Sequence, residues 1–241
     1  MDDDLVKNKR KRTIIQNMKK SNKILLGLFA LVVSCMVITD YSLRGIYLKI
    51  NLDDPFKNYE TLIVKPFRVL KIKGGSAYSI VIHQTAKTEM KVMSTRKSFL
   101  HYSNTEDTLN ILFTVPNNQG LALSELPVGL MVGSPNILEI DAEGTSNRVW
   151  DWQGDTLKLK QMGTASTSID KLESDRFTAV GSQNSLLRFQ SGNKVISLSL
   201  DIRDNAAVFL DDISYRLFNP IMHNQARLIF TAETGERLKQ P

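Results

Sequence analysis

The chain has 241 residues, 42% of them apolar and 23% charged, a composition typical of folded proteins that excludes wholesale disorder. The net charge of +6 is concentrated in residues 1–23, which hold eight basic and three acidic side chains. Residues 24–241 carry 23 basic and 22 acidic groups, so the main part of the chain lacks the excess of positive charge that nucleic-acid binding requires.

An apolar run follows the basic residues directly. Residues 24–38 contain no charge, and continuing to residue 43 gives about 20 residues, enough for a helix to cross a bilayer. A buried core helix fits poorly, because the run is apolar all round and begins right after a charge cluster. Basic residues precede the run and few follow it, which predicts residues 1–23 as a basic cytoplasmic tail and residues 24–43 as a transmembrane anchor in the cytoplasmic membrane. A role for the tail as a partner site or a lipid contact is a further reading, but setting the topology suffices to explain its charge.

The single cysteine, Cys35, leaves the fate of this segment open. Residues 32–35 resemble a bacterial lipoprotein box, in which the cysteine is lipidated after cleavage before it, and ordinary signal cleavage is a third possibility. The apolar run continues beyond Cys35, which favours an uncleaved anchor in which Cys35 is an inert apolar residue. With one cysteine the exported part has no internal disulfide, so packing alone must stabilise it.

Residues 44–58 are predicted to form a linker, and residues 59–241 an extracytoplasmic domain built from strands. Alternating apolar residues separated by turn residues predict strands over four segments, which are residues 67–72, 78–82, 89–93 and 108–113. A loop is expected over residues 117–120. The less regular residues 121–132 are interpreted as a connection into the second half.

From residue 138 the sequence repeats about every 19 residues. One copy this short cannot bury its own apolar face, but stacked copies can, which predicts a β-solenoid. A β-sandwich is the alternative for short, evenly spaced strands. Matching positions define the repeat: the strand starts Leu138, Leu157, Phe177 and Ile196, the inward residues Val149, Ile169, Leu187 and Val208, and the corner glycines Gly144, Gly163 and Gly181.

The strand segments 66–72 and 78–82, the strand around residues 109–111 and the Gly-Ser/Thr repeats together resemble the GIN domain. This family is named as an auto-transporter adhesin head domain and occurs in bacterial envelope proteins. The resemblance covers about residues 62–235. It implies an all-β fold, a right-handed parallel β-helix-like solenoid preceded here by one N-terminal transmembrane helix, and it supplies no site residues.

No catalytic or metal-binding pattern stands out in the sequence. The histidines His83, His101 and His223 are far apart, no phosphate-binding glycine motif follows a strand, and no cofactor is expected. The aspartates of the repeats, Asp170 among them, are expected mostly at turns, where they bond local backbone. Some β-helix proteins are polysaccharide lyases that use clustered carboxylates and basic residues, so an enzyme of this kind remains the alternative. A lyase would present a groove in which acidic and basic side chains converge.

Trp150 and Trp152 form the most conspicuous aromatic element outside the apolar run. Residues i and i+2 of a strand share a face, so both rings are expected to point the same way. Matching Val149 to Ile169 makes both tryptophans a possible ligand platform, whereas counting back from Leu157 makes both core. Exposing large aromatic rings is costly, so burial of both is favoured.

The expected function is therefore that of a non-enzymatic, membrane-anchored envelope module. Its extended Ser/Thr/Asn-bearing faces suit the binding of another envelope protein or a glycan, or a structural role, because many small contacts add along a rigid surface. The anchor places the β-domain in the periplasm or outside the cell, with lipid attachment through Cys35 as the alternative.

Overall fold

A computed structural model describes residues 20–47, 56–74, 79–114 and 128–230. Most of the predicted basic tail, most of the predicted linker and the predicted loop at residues 117–120 lie outside the described residues. The chain divides into two compact units, residues 1–57 and residues 58–241.

The first unit contains one helix, α1, over Lys20–Tyr47. Within it Asn22–Gly45 is long and apolar enough to cross a membrane, and at 24 residues it spans about 36 Å, more than the roughly 30 Å of a hydrocarbon core. The hydroxyls of Ser34 and Thr39 donate to backbone carbonyls four residues earlier at 2.8 Å, so these side chains need no external partner. With bounds at Lys20 and Tyr47, α1 extends past both ends of the predicted segment 24–43.

The second unit is almost entirely β-structure, as the sequence predicts. Its strands are β1 Tyr59–Leu62, β2 Val69–Lys73, β3 Ser79–Gln84, β4 Glu89–Met93, β5 Leu100–Thr105, β6 Thr108–Phe113, β7 Val128–Ser134, β8 Glu139–Glu143, β9 Ser146–Met162, β10 Ser166–Gly181, β11 Leu186–Phe189, β12 Asn193–Ile202, β13 Ala207–Leu210, β14 Ile213–Met222 and β15 Arg227–Phe230. A short 3₁₀ helix, Ser94–Phe99, precedes β5. Residues 128–132, expected to be part of a connection, lie in β7, which pairs with both β3 and β4.

The strands form one hydrogen-bonded network with two parallel ladders. The first ladder runs β7, β3, β9, β10, β11, β13, β15, and the second runs β6, β2, β8, β9, β10, β12, β14. The long strands β9 and β10 belong to both, because their first halves pair in the first ladder and their second halves in the second. From β8 onward, partners in neighbouring strands are offset by 19 to 21 residues, close to the predicted period.

Apolar side chains stack along the inner side of each ladder. In the first ladder Ile82, Val149, Ile169, Phe189 and Leu210 are successive partners, and each is at most 1% exposed. Stacking identical environments in this way gives a continuous core that no single repeat supplies.

The predicted register is right between neighbours but slips by two residues after β10. Val149 pairs with Ile169 and Leu187 with Val208, as expected. However, Ile169 pairs with Phe189, and Leu187 pairs with the buried Thr167. A strand keeps its inward face when it shifts by two residues, so the apolar alternation alone could not distinguish the two registers.

The same slip relocates two predicted landmarks. The fourth strand start is Leu198, the partner of Phe177, and not the exposed Ile196. Gly144 and Gly163 turn with positive φ as expected, but Gly181 lies in β10 and the equivalent corner is Gln183, with φ of 61°.

Candidate functional site

Trp150 and Trp152 point in opposite directions, so the expectation that both are buried is wrong for Trp150. Trp152 is 2% exposed and lies in the core, whereas Trp150 is 42% exposed. Between them Asp151 has φ of 52°, which breaks the strand alternation and turns the chain. Lys171, with φ of 54°, makes the same turn in the next repeat. Because of this turn, each of the two sequence alignments is right for one tryptophan: the first for the exposed Trp150 and the second for the buried Trp152.

Trp150 is the centre of a mixed aromatic and charged surface on the outer side of the first ladder. His83 on β3 and Asp170 on β10 are its neighbours in register. The Nζ of Lys171 lies 5.8 Å from the centroid of the Trp150 ring, within cation–π range. We call the outward residues Arg148, Trp150, Lys171, Arg188 and Phe209 the Trp150 face.

Arg148 is held in place by a carboxylate that is almost fully covered. Its Nε donates to Asp170 Oδ2 at 3.0 Å, and the Asp170 side chain is 7% exposed while that of Arg148 is 50% exposed. With its amide oriented to satisfy hydrogen bonding, Gln190 also donates to both Asp170 oxygens, at 3.0 and 3.2 Å. Asp170, expected at a turn, is a strand residue that fixes the inner edge of the guanidinium and leaves its outer nitrogens facing outward.

Arg188 lies two strands further along and also approaches a carboxylate, but its Nε makes no hydrogen bond among the described residues. Its register partners are Ser168 on β10, which in turn pairs with Arg148, and Phe209 on β13. The Arg188 guanidinium stacks on the Phe209 ring, with Cζ 4.4 Å from the centroid, and Nε lies 3.5 Å from Asp211 Oδ2. The Arg148 guanidinium is therefore held by a hydrogen bond, and that of Arg188 is held by stacking on the Phe209 ring.

His83 borders the Trp150 face and is partly covered. Burial lowers the pKa of His83, the nearby Glu89 carboxylate opposes this, and Lys91 adds to the lowering. The Nε2 atom lies 3.7 Å from Glu89 Oε1, and the buried Nδ1 has no hydrogen-bond partner among the described residues. His83 therefore favours its neutral form.

A groove of about 500 Å³ forms a second candidate surface, on the outer side of the second ladder at β5, β6, β2 and β8. The groove is lined by the half-exposed Leu112 and by acidic and basic side chains. The acidic and basic residues are Lys71, Lys73, His101, Asp141 and Glu143. Lys73 and Glu143 form an ion pair at 2.8 Å. This is the kind of mixed groove that the lyase interpretation requires.

The remaining predicted residues do not converge. His101 lies in this groove, His83 borders the Trp150 face, and His223 lies 3.7 Å from Asp201 at the far end of the second ladder. No three histidine, cysteine or acidic residues among the described ranges are grouped to hold a metal ion. Cys35 is exposed on α1.

Sequence reasoning missed Arg148, Arg188 and Phe209, and it expected Asp170 at a turn instead of in a strand. A usable signal was present, since each arginine directly precedes or lies beside an inward residue of the repeat and must therefore face outward. The pairing of Arg148 with a residue 22 positions away, however, follows only from the ladder register.

No family model matches the chain, and no curated protein matches it. Among solved structures, a "putative adhesin" from Bacteroides fragilis is 13% identical, with 72% of this chain and 96% of that chain covered and a TM-score of 0.46. A "putative lipid binding protein" from Parabacteroides distasonis is 10% identical, covers 72% and 94% of the two chains and has a TM-score of 0.40. A "putative adhesin" from Parabacteroides merdae is 9% identical, with 72% of this chain and 95% of that chain covered and a TM-score of 0.37. The names of these neighbours describe adhesion or lipid binding, and none names an enzyme; at these scores the likeness assigns no function to this chain.

Proposed function

We propose that this protein is a non-enzymatic, membrane-anchored module of the bacterial cell envelope that binds a glycan or a protein partner through the Trp150 face. The observation that carries the proposal is the exposure of Trp150 beside two ordered guanidinium groups, two residues from a fully buried tryptophan. An exposed indole supplies a flat apolar surface for a sugar ring or a partner side chain, and adjacent charged groups supply orientation.

The proposed architecture is a right-handed parallel β-helix-like solenoid of the kind that the GIN resemblance implies. Its support is the parallel pairing from β8 to β15 with offsets of 19 to 21 residues and the recurring left-handed corners. Such a scaffold holds outward side chains at fixed spacing, which suits a binding surface.

The proposed location is the cytoplasmic membrane, with residues 1–23 inside and the β-domain, residues 59–241, in the periplasm or outside. Its support is the length and apolar character of α1 and the basic residues before it. Protease added to spheroplasts should remove the β-domain, and survival of that domain until lysis would contradict the orientation. Cys35→Ala should leave chain length and membrane attachment unchanged, whereas loss of lipid labelling in that variant would establish the lipoprotein alternative.

The binding proposal is tested with the full chain in detergent against an immobilised panel of polysaccharides and envelope proteins. Trp150→Ala should abolish binding without lowering the unfolding midpoint by more than a few degrees, because the ring is half exposed. Leu217→Ala, which removes a large apolar side chain that is 56% exposed on β14, is the control and should bind normally. Equal binding by both variants would overturn the proposal.

The chain has two tryptophans, so fluorescence reads the site directly. Trp152→Phe should leave red-shifted emission that acrylamide quenches readily and that shifts on ligand binding. Trp150→Phe should leave blue-shifted emission that resists the quencher.

The β5–β6–β2–β8 groove supports a second candidate, a polysaccharide lyase of the cell envelope. In that reading Lys71 and Asp141 would act on a bound sugar, since they are register partners in the groove yet form no ion pair with each other. Lyase activity creates an unsaturated sugar whose absorbance is measured directly. Product formation that disappears in Lys71→Ala would establish this candidate over the binding module.

A further inference from the structure

We infer that the ligand of the Trp150 face is an acidic polysaccharide, with a sugar ring stacked on Trp150 and its carboxylate or other acidic groups held by Arg148 and Arg188. This inference rests on the proposed binding function and specifies its ligand class.

The guanidinium groups of the face are more exposed than the carboxylates that they approach. Three cations, Arg148, Lys171 and Arg188, lie near three carboxylates, which are Asp151, Asp170 and Asp211. The Asp170 carboxylate is covered by its neighbours, with 7% of its side chain exposed, and it accepts from Arg148 Nε and from Gln190. The Asp170 carboxylate is therefore covered and the Asp211 side chain is 32% exposed, whereas the side chains of Arg148 and Arg188 are 50% and 43% exposed.

The two arginines have the chemistry and preorganisation that acidic groups require. A guanidinium whose Nε is engaged still offers its terminal nitrogens as a fork, which matches a carboxylate or phosphate with two parallel hydrogen bonds. No partner of the Arg148 terminal nitrogens is found among the described residues, and the aromatic ring of Phe209 supports Arg188. Because both side chains are already ordered, binding sacrifices little side-chain entropy.

The spacing favours a polymer with repeated acidic groups. Arg148 and Arg188 are separated by one strand, which places their backbones roughly 10 Å apart across the ladder. The residue between them is the small Ser168, so no bulky side chain blocks the path. Trp150 lies two positions from Arg148 on the same outer side, which allows one chain to contact all three residues.

The test compares polygalacturonate with its fully methyl-esterified form, which has the same sugar backbone without the charge. Full-length protein in detergent should bind polygalacturonate at least about tenfold more tightly, and the advantage should shrink as salt is raised. Arg188→Gln should reduce affinity for polygalacturonate about tenfold and leave affinity for the ester unchanged. Arg216→Gln, an exposed arginine on β14, is the matched control and should behave as wild type.

Arg148→Gln leaves the covered Asp170 carboxylate without its cation and could unfold the chain, so the double variant Arg148→Gln/Asp170→Asn is measured beside it. The double variant should fold and still lose the preference for the acidic polymer. Equal affinity for the two polymers, with binding abolished by Trp150→Ala, would overturn the acidic ligand and leave the binding module intact. Binding to neither polymer while anionic phospholipid vesicles bind through Arg188 would overturn the polysaccharide. Failure of every panel ligand to depend on Trp150 would remove the proposed function itself.

Discussion

The two halves of the β-unit differ in strand direction at their ends. In the first half, β1 to β7, three pairings are antiparallel, and the outermost strands β1 and β5 each have one antiparallel neighbour. In the second half, β8 to β15, every pairing within the described residues is parallel. Of the last strands of this half, β14 is largely exposed and β15 is mostly half-buried, and each is paired in register with the preceding strand of its ladder.

The difference shows how sequence relates to register. A parallel neighbour requires the chain to return to the same side, so each repeat of the second half consumes 19 to 21 residues and the sequence shows the period. Antiparallel neighbours need only a turn, as at the tight β5–β6 hairpin, and leave no period. The second half, which is regular, has equivalent interior positions in successive strands. The first half, which is irregular, ends in antiparallel strands. Variants that separate the interior of the regular half from its exposed end or its corners test this comparison.

The largest effect is expected for Ile169→Asp. Its side chain is 0% exposed between Val149 and Phe189, so the carboxylate would be buried without a partner and stability should fall by several kcal/mol. Ile221→Asp on β14, the last strand of the second ladder, where the side chain is 55% exposed, should cost under about 1 kcal/mol. Urea unfolding measures both. Similar losses in the two variants would show that the interior and the end of the ladder are not distinct.

Asn193→Ala should cost about 3 kcal/mol, because the buried side chain serves three backbone groups at one corner. Its Oδ1 accepts from Leu172 N, and its Nδ2 donates to the carbonyls of Ile169 and Asp212, each at 3.1 Å. Asn205→Ala, at an exposed corner, should stay within about 0.5 kcal/mol of wild type. If Asn193→Ala lowered the free energy of unfolding no more than Asn205→Ala does, the hydrogen bonds of Asn193 would not stabilise the corner.

Gly163→Ala and Gln183→Gly should change the stability of the protein in opposite directions, with the first lowering it and the second raising it. Gly163 turns with φ of 68° and has space for a Cβ, so the alanine loses about 1 kcal/mol through backbone strain alone. Gln183 occupies the equivalent corner with φ of 61°, and glycine relieves that strain, offset in part by a more flexible unfolded chain. Thermal unfolding midpoints read both changes. Equal destabilisation by the two variants would mean that these corners are not equivalent.

The smallest effect concerns His83 in the irregular half. Its folded pKa lies below the unfolded value of about 6.5, so the unfolded chain takes up the proton first as pH falls. This contribution to stability is complete above about pH 6.5 and declines as pH falls from there toward the folded pKa. His83→Gln should flatten urea midpoints between neutral and mildly acidic pH, and Glu89→Gln should steepen them because Glu89 raises the pKa of His83. Unchanged profiles in both variants would contradict this assignment.

The sequence alone determined the elements whose signals are local. The apolar run predicted α1, alternation predicted β4 and β6 with their bounds, and recurring residues predicted stacked strands with nearly the observed period. These features follow from which residues water excludes and from the two-residue period of a strand. They did not reveal β7, because the residues before it are irregular and its partners β3 and β4 lie far away along the chain.

Only the tertiary structure decided the register after β10 and the face of each tryptophan. A shift of two residues preserves every inward and outward assignment, so choosing Phe189 over Leu187 as the partner of Ile169 required the neighbouring strand itself. The direction of Trp150 depends on the left-handed turn at Asp151, and an aspartate in the sequence does not by itself specify such a turn. The Arg148–Asp170 pair arises from that register and turn together, which is why the candidate site emerges from the packed ladders and not from any motif along the chain.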